Sequence, residues 1–355
     1  MWKYVEPADT EAYEAFVGRH PKGHFLQSLK WAEFKGGNRA AVVSLDGDGS
    51  IRGAMSIFLQ DAPLFGAKLL YSPRGPVCAP DDLEAMQELC AGAKALAEKQ
   101  KGYALTIDPD ITEQDAQFLR NLEACGFRRG DNGKDNAILQ PLAVFRIDVG
   151  GKSEEELLAS FHSKARYSVR SALKGNAVCR IGGADELPAF QRLLVETAGR
   201  DGFTPRPLAY FERMFQVLPE EMCKLFVVEL DGEIIAGSVL IRYGDKTWHL
   251  YGASDDAHNK ALPNFLMQWA MMRWTINQGL HIYDMRGVAG EGDKTKPLEG
   301  LMRFKKRFGG ELIPFVGRLD LVYRPAIKRA IDTARAAKRR LRGQPSAGKG
   351  PGKQL

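Results

Sequence analysis

The sequence predicts a mixed α/β (α+β) chain built from two similar halves. Three observations predict it. Each half runs through a hairpin, a further strand, a long helix and another strand. Each hairpin carries a strong turn signal, Asp46-Gly47-Asp48-Gly49 in the first half and Asp231-Gly232 in the second. At 355 residues the chain suits two domains better than one. A hydrophobic share of 44% and a charged share of 26% place it among globular proteins, not fibrous or disordered ones.

In the first half, Thr10–Arg19 has the apolar spacing of a short amphipathic helix. Residues Ala40–Leu45 and Ile51–Leu59 alternate as paired strands, and Lys68–Ser72 predicts another. Asp81–Gln100 predicts a long helix, with an acidic start and apolar residues at Leu83, Met86, Leu89, Ala93 and Leu96. Tyr103–Asp108 reads as a buried strand ending in Asp-Pro, and Thr112–Cys125 as a helix stopped by Gly126. The second half predicts helices at Ser153–Phe161, Lys164–Leu173, Glu186–Gly199 and Pro263–Gln278, the last stopped by Gly279. Its strands are expected at Val178–Ile181, Leu225–Leu230, Glu233–Arg242, Lys246–Ala253 and His281–Met285. The joint is expected near Gly150-Gly151. This element order is the core of an acetyltransferase-like domain, and its recurrence suggests an internal duplication.

Charge and side-chain chemistry exclude several classes. From Arg324 to Leu355 ten Lys or Arg face one Asp, a charge of +9; the whole chain is +6, so the rest is near −3. The body is not uniformly basic. Arg324–Arg342 predicts a basic helix, and residues 343–355 a disordered basic tail rich in Gly, Pro, Ser and Lys. Such a C-terminus suits solubility, an RNA backbone or anionic lipid. The five cysteines, at 78, 90, 125, 179 and 223, form no CxxC pair, which argues for a reducing cytoplasm without disulfides or zinc. His20 and His24 flank Pro21 and Gly23, so no helix presents both as ligands, and no metal is expected. No apolar run approaches the ~20 residues of a membrane span, and the acidic N-terminus does not read as a signal peptide. No Walker loop, Gly-x-Ser-x-Gly elbow or dinucleotide fingerprint occurs.

One stretch stands out. Gly300-Leu301-Met302-Arg303-Phe304-Lys305-Lys306-Arg307-Phe308-Gly309-Gly310 alternates four cations with large apolar residues. It follows the strand end Tyr283-Asp284-Met285-Arg286-Gly287 and a polar segment from Glu291 to Lys296. Cations so grouped suit a polyanion or a developing negative charge. The plainer alternative is a basic surface helix with Met302, Phe304 and Phe308 partly in the core.

The chain resembles the Fem family of peptidoglycan-bridge aminoacyltransferases. The matching segments are His24-Phe25-Leu26-Gln27-Ser28-Leu29-Lys30-Trp31-Ala32-Glu33-Phe34-Lys35, Tyr71-Ser72-Pro73-Arg74-Gly75-Pro76, Ile107-Asp108-Pro109, Lys164-Ala165-Arg166-Tyr167-Ser168-Val169-Arg170, Pro263-Asn264, Tyr283-Asp284, and the run from Gly300 to Gly310. They keep family order over roughly residues 20–320. The resemblance implies two acetyltransferase-like (GNAT-like) domains: residues 1–150 with 318–342 for the precursor, and 151–317 for the aminoacyl-tRNA side. It implies cofactor-free transfer of an amino acid from aminoacyl-tRNA to an amine of the precursor's stem peptide. The precursor is expected as UDP-linked muramyl pentapeptide or its lipid-linked form. The long coiled-coil arm of staphylococcal-type members is missing between residues 151 and 317. The implied location is the cytoplasm, with peripheral membrane contact through the basic C-terminus as a further expectation.

The resemblance assigns candidate roles. Lys305 is expected to stabilise the oxyanion or the terminal tRNA phosphate, and Phe304 to support the terminal adenosine or order the lysine. Lys35 and Arg206 match positions that contact the precursor diphosphate. Two prolines hold Gly202–Ala209 extended, so that Thr204, Arg206 and Tyr210 project together. Asp108 is a candidate for sugar, peptide or ammonium binding, or a helix cap. Tyr103 joins it only if the strand twists, because five positions is an odd spacing. Tyr251 ends the central strand of the second half. Arg166, Arg170 and Lys174 share a helical face, and with Lys306 and Arg307 they would receive the tRNA acceptor arm. Arg286 departs from the family's usual Gly pair after Tyr-Asp, so donor specificity does not carry over.

Two rival readings remain. An acetyl-coenzyme A transferase needs a Gly-rich loop before its long helix; residues 255–263 hold no glycine, two acids and a proline. A non-catalytic RNA- or membrane-binding protein leaves Lys35, Asp108 and Arg206 without a role.

Overall fold

The computed structural model describes residues 1–130, 140–287 and 296–341. The chain forms two compact units, Met1–Gln140 with Phe315–Leu355, and Pro141–Pro314. The division therefore precedes Gly150-Gly151, where the sequence suggested it. The reason is a strand: residues 143–148 pair within the second sheet, so they belong to the second unit. The expected disordered tail, 343–355, and most of the polar segment before Lys296 lie outside the described residues.

The first unit opens with β1 (Trp2–Tyr4), α1 (Thr10–Arg19), α2 (Leu29–Lys35), β2 (Arg39–Leu45), β3 (Ile51–Asp61), β4 (Lys68–Arg74) and β5 (Val77–Cys78). It continues with α3 (Leu83–Lys99), β6 (Gly102–Pro109), α4 (Ala116–Ala124) and β7 (Arg128–Arg129). The second unit holds β8 (Ala143–Asp148), α5 (Glu154–Ser160), α6 (Ser163–Lys174), β9 (Val178–Gly182), α7 (Leu187–Asp201), α8 (Leu208–Val217) and β10 (Cys223–Leu230). Then come β11 (Glu233–Tyr243), β12 (Lys246–Ser254), α9 (Pro263–Asn277), β13 (Ile282–Gly287), α10 (Lys296–Lys306) and β14 (Glu311–Pro314). The chain returns to the first unit with β15 (Leu319–Val322) and α11 (Pro325–Leu341).

Each unit is a mixed sheet flanked by helices. The first sheet runs β1-β2-β3-β4-β6-β15-β7, with β5 also on β3, and the second β14-β8-β13-β12-β11-β10-β9. Each has a hairpin leading to one parallel pair, β4 with β6 and β12 with β13, joined through the long helix α3 or α9. This is the duplicated acetyltransferase-like plan.

Local chemistry sets the helices. The Asp82 carboxylate caps α3 by accepting from the Ala85 N–H at 2.8 Å, and Ala85, Met86, Leu89, Ala93 and Leu96 bury one face. Ser28 caps α2 by accepting from the Lys30 and Trp31 N–H groups. Helix α9 lies inside the second core and buries Leu266, Met267, Trp269, Met271 and Met272. Each such side chain contributes about 1.5–3 kcal/mol of apolar burial. Gly309 (φ 74) and Gly310 (φ 84) turn the chain from α10 into β14. A Cβ on Gly310 would sit 2.5 Å from the Arg146 carbonyl oxygen, so only glycine fits.

Candidate functional site

In the second unit the parallel pair splits. Strands β12 and β13 pair only from Lys246↔Ile282 to Trp248↔Asp284, while β12 runs on to Ser254. A bulge at Leu250 shifts the register between His249 and Tyr251, the kind of irregularity that re-aims side chains beside a site. Neighbouring strands that diverge leave a crevice beyond their ends, a common place for a ligand in open α/β sheets.

Arg206, Tyr210 and Tyr251 meet on one side of this region. The Tyr210 and Tyr251 hydroxyls are 3.0 Å apart. The Arg206 guanidinium carbon lies 5.1 Å from the Tyr210 ring centroid, a cation–π contact. Burial raises the pKa of both tyrosines, so both stay protonated donors. The expected extended loop ends earlier than the sequence suggested. Pro207 caps α8, and Tyr210 sits in its first turn, because the apolar residues Phe211 and Met214 bury that helix. Thr204 stays exposed on the segment before that helix.

On the other side lies Lys305, only 4% exposed. Its ammonium donates to the carbonyls of Met285 (2.5 Å), Arg286 (3.2 Å) and Gly287 (2.7 Å). Burial pulls its pKa down to about 7, with Asp284 opposing and Arg286 adding to the fall. The cation expected to meet an oxyanion or a tRNA phosphate is thus turned onto the backbone: all three N–H bonds hold the end of β13. What this anchors is Arg286, a buried residue with φ 62. Its backbone N–H donates to Asp284 at 2.6 Å, and Asp284 also pairs with Arg146 at 3.0 Å. The Arg286 charge acts on Tyr210, Tyr251 and Lys305 alike, so one guanidinium links both sides of the site.

Phe304 is half-buried against Phe265 (5.2 Å between centroids) and Phe308 (5.1 Å). It orders α10 through apolar packing and leaves part of its ring open. Lys306 is exposed and Arg307 half-buried, its carbonyl accepting from the His162 N–H at 2.9 Å. On α6, Arg170 and Lys174 are exposed. Arg166 is not part of that open face. It donates to the Ala159 (2.8 Å) and Phe161 (2.6 Å) carbonyls and so ends α5, because those carbonyls lack helical partners.

The first unit holds the remaining candidates. Lys35 closes α2, half-buried, with its ammonium 5.7 Å from the Phe34 ring centroid. Asp108 is 2% exposed and turned inward. It accepts from the Tyr71 hydroxyl (2.8 Å), the Arg74 N–H (3.0 Å) and the Gln140 N–H (2.8 Å). It is neither a free ligand group nor the cap of the following helix; it ties β4 to β6, which here stay paired through Arg74↔Pro109. Burial raises its pKa, against the pull of Arg74. Tyr103 lies at the register shift of β6, where Lys68 pairs with Gly102 and Leu69 with Ala104, and it packs in a cluster with Ala67, Leu69 and Ile331.

Sequence reasoning missed His249. Its Nε2 is buried without a hydrogen-bond partner among the described residues, and burial beside Lys305 lowers its pKa to about 3, which keeps it neutral. Its Nδ1 lies 3.4 Å from the Gln268 amide, which accepts from the Tyr283 hydroxyl at 2.7 Å. A lone histidine on an alternating strand carries no sequence signal.

The model of the FemAB family matches residues 9–233 and 231–335. The chain belongs to the FemAB family. A Lipid II:glycine glycyltransferase from Staphylococcus aureus (strain USA300) is 28% identical over 394 aligned residues, spanning 91% of this chain and 93% of the relative. The crystal structure of FemX superposes with a TM-score of 0.87 at 27% identity, over 94% of this chain and all of that one. A tandem GNAT protein from the clavulanic acid pathway shares the fold alone, with a TM-score of 0.54 at 12% identity. As a FemAB protein the chain is an acyltransferase. None of its described helices is long and apolar enough to cross a membrane.

Proposed function

We propose that the protein transfers an amino acid from aminoacyl-tRNA to an amine of the peptidoglycan-precursor stem peptide. The observation that carries this reading is the match of both units, end to end, to a relative named as a Lipid II:glycine glycyltransferase. The site chemistry supports it. Aminolysis of an activated ester needs no covalent enzyme intermediate. The amine nitrogen forms the C–N bond, the carbonyl electrons move to oxygen, and collapse expels the ribose oxygen of the tRNA. The proton lost by the amine ends on that oxygen.

The chain's own groups serve binding and field. Arg206 in the second unit and Lys35 in the first are each a cation suited to a phosphate group. The Tyr210–Tyr251 pair orients Arg206 and offers hydroxyl donors. Lys305 is a positioning residue that fixes Arg286 and adds positive potential where an oxyanion develops. Phe304 presents a flat apolar surface to an adenine or ribose. Arg170, Lys174 and Lys306 are exposed cations suited to an acceptor arm.

The acetyl-coenzyme A alternative has less support. In the loop before α9, Asp255 accepts from the His258 N–H at 3.0 Å, and Pro263 stands at the first helical position. A carboxylate occupies a donor, and a donor is missing, where a pyrophosphate would need both. The test is to mix the protein with charged tRNAs and UDP-linked muramyl pentapeptide and to weigh the product. One added amino-acid residue is expected. Acetyl transfer from acetyl-coenzyme A, with no aminoacyl product, would overturn the reading.

A further inference from the structure

The β3–β4 turn of the first unit presents an apolar tip. The Ala62 N–H donates to the Ala67 carbonyl at 2.8 Å and the Ala67 N–H to the Leu64 carbonyl at 3.2 Å, which closes a tight turn over Pro63, Leu64, Phe65 and Gly66. Phe65 has φ 63, a left-handed backbone that bulky side chains avoid. That conformation sends its ring outward. Phe65 is 65% exposed and Leu64 36%. Together they form a small apolar tip that the unit's own core does not cover.

The tip is flanked by the Asp61–Lys68 ion pair at 2.7 Å and, beyond it, by further cations. Ala62 and Ala67, on either side of the turn, share an apolar cluster with Ile327 and Ile331 of α11. That helix contains six Lys or Arg against one Asp. Arg329 on its first turns is exposed, and so are Lys99 and Lys101 at the end of α3. Lys101 adjoins the same hairpin, its carbonyl accepting from the Lys68 N–H at 3.2 Å. An apolar wedge beside a basic helix is the combination that holds a protein at a charged bilayer surface. An RNA would use the cations and the Phe65 ring, but it has no use for an aliphatic Leu64 beside it.

We propose that this edge of the first unit docks on an anionic phospholipid surface. Leu64 and Phe65 enter the headgroup layer, and α11 with Lys99 and Lys101 meets the lipid phosphates. The docking is independent of the transfer reaction and needs no lipid-linked substrate.

The test is co-sedimentation of the full chain with vesicles of phosphatidylcholine alone and of phosphatidylcholine mixed with phosphatidylglycerol. Binding is expected only to the anionic vesicles, weakening at high salt. Changing both Leu64→Ser and Phe65→Ser should lower partitioning about tenfold or more, from the lost apolar burial. Arg329→Ala should lower it roughly fivefold, the effect of one cation removed. Turnover on the soluble UDP-linked precursor should stay at the parent level in the double variant, which separates docking from the reaction. No binding of the parent protein to anionic vesicles would overturn the proposal. So would unchanged binding by the double variant, or an RNA gel shift that depends on Leu64 and Phe65 while vesicle binding does not.

Discussion

The Lys305 ammonium donates to the Met285 carbonyl at 2.5 Å, so the most conspicuous cation of the sequence faces the end of β13 and not solvent. Its charge reaches a substrate as potential and through the groups it holds.

Turnover should therefore depend on Lys305 but not on its neighbour. Lys305→Ala frees the carbonyls of β13 and lets Arg286 drift; a displacement of about 1 Å at a reacting centre costs on the order of 10²-fold. Lys306→Ala removes an exposed cation and should cost only a few-fold. Single-turnover rates with one charged tRNA separate the two. Equal, small losses would return the cation run to the role of a basic surface.

Lys305 also predicts a pH dependence of stability. Its folded pKa is about 7, below the ordinary 10.5. Below pH 7 both states carry the proton and the cost of burying the charge is fully present. Between 7 and 10.5 the unfolded chain holds a proton that the folded one has shed, so stability rises with pH, by at most about 1.4 kcal/mol per unit. Lys305→Met should lack that rise. Urea unfolding at stepped pH measures it, and identical slopes in the two proteins would refute the burial argument.

Arg206→Ala should weaken precursor binding by about 1.5–3 kcal/mol, the usual worth of a charged hydrogen bond, with turnover at saturation little changed. Tyr210→Phe removes the 3.0 Å hydroxyl contact to Tyr251 but keeps the ring under Arg206, so it should cost only about 1 kcal/mol. Calorimetric titration with UDP-linked muramyl pentapeptide distinguishes them. An Arg206 variant with parental affinity would remove the diphosphate assignment.

Asp108→Ala should act on folding. It strands the Tyr71 hydroxyl and two backbone N–H groups, at about 1–3 kcal/mol for each buried group left unpaired. Denaturant midpoints report it. A stable variant with selectively lost precursor binding would show that Asp108 meets ligand after all.

The elements with a clear period or a marked end were legible from residue order. The α3 stripe of Met86, Leu89 and Ala93 announces a helix packed on a sheet, and the Asp-Gly turns announce both hairpins. Helix α8 was hidden because the two prolines before Leu208 argue for extended chain, and only the burial of Phe211 and Met214 outweighs them. A family position pointed to Arg206, the proline-held loop to Tyr210 and the strand end to Tyr251, and the second unit does bring these three together. Side-chain direction was not legible. Lys305, Asp108 and Arg166 are charged groups of a kind that usually faces water, and each is turned inward by backbone groups from segments remote in sequence or at a helix end. His249 became part of the site only through the bulge in β12. Residue order encodes periodicity and turn chemistry, which are local. Where a charge points depends on which unpaired carbonyls and N–H groups the finished fold leaves within its reach.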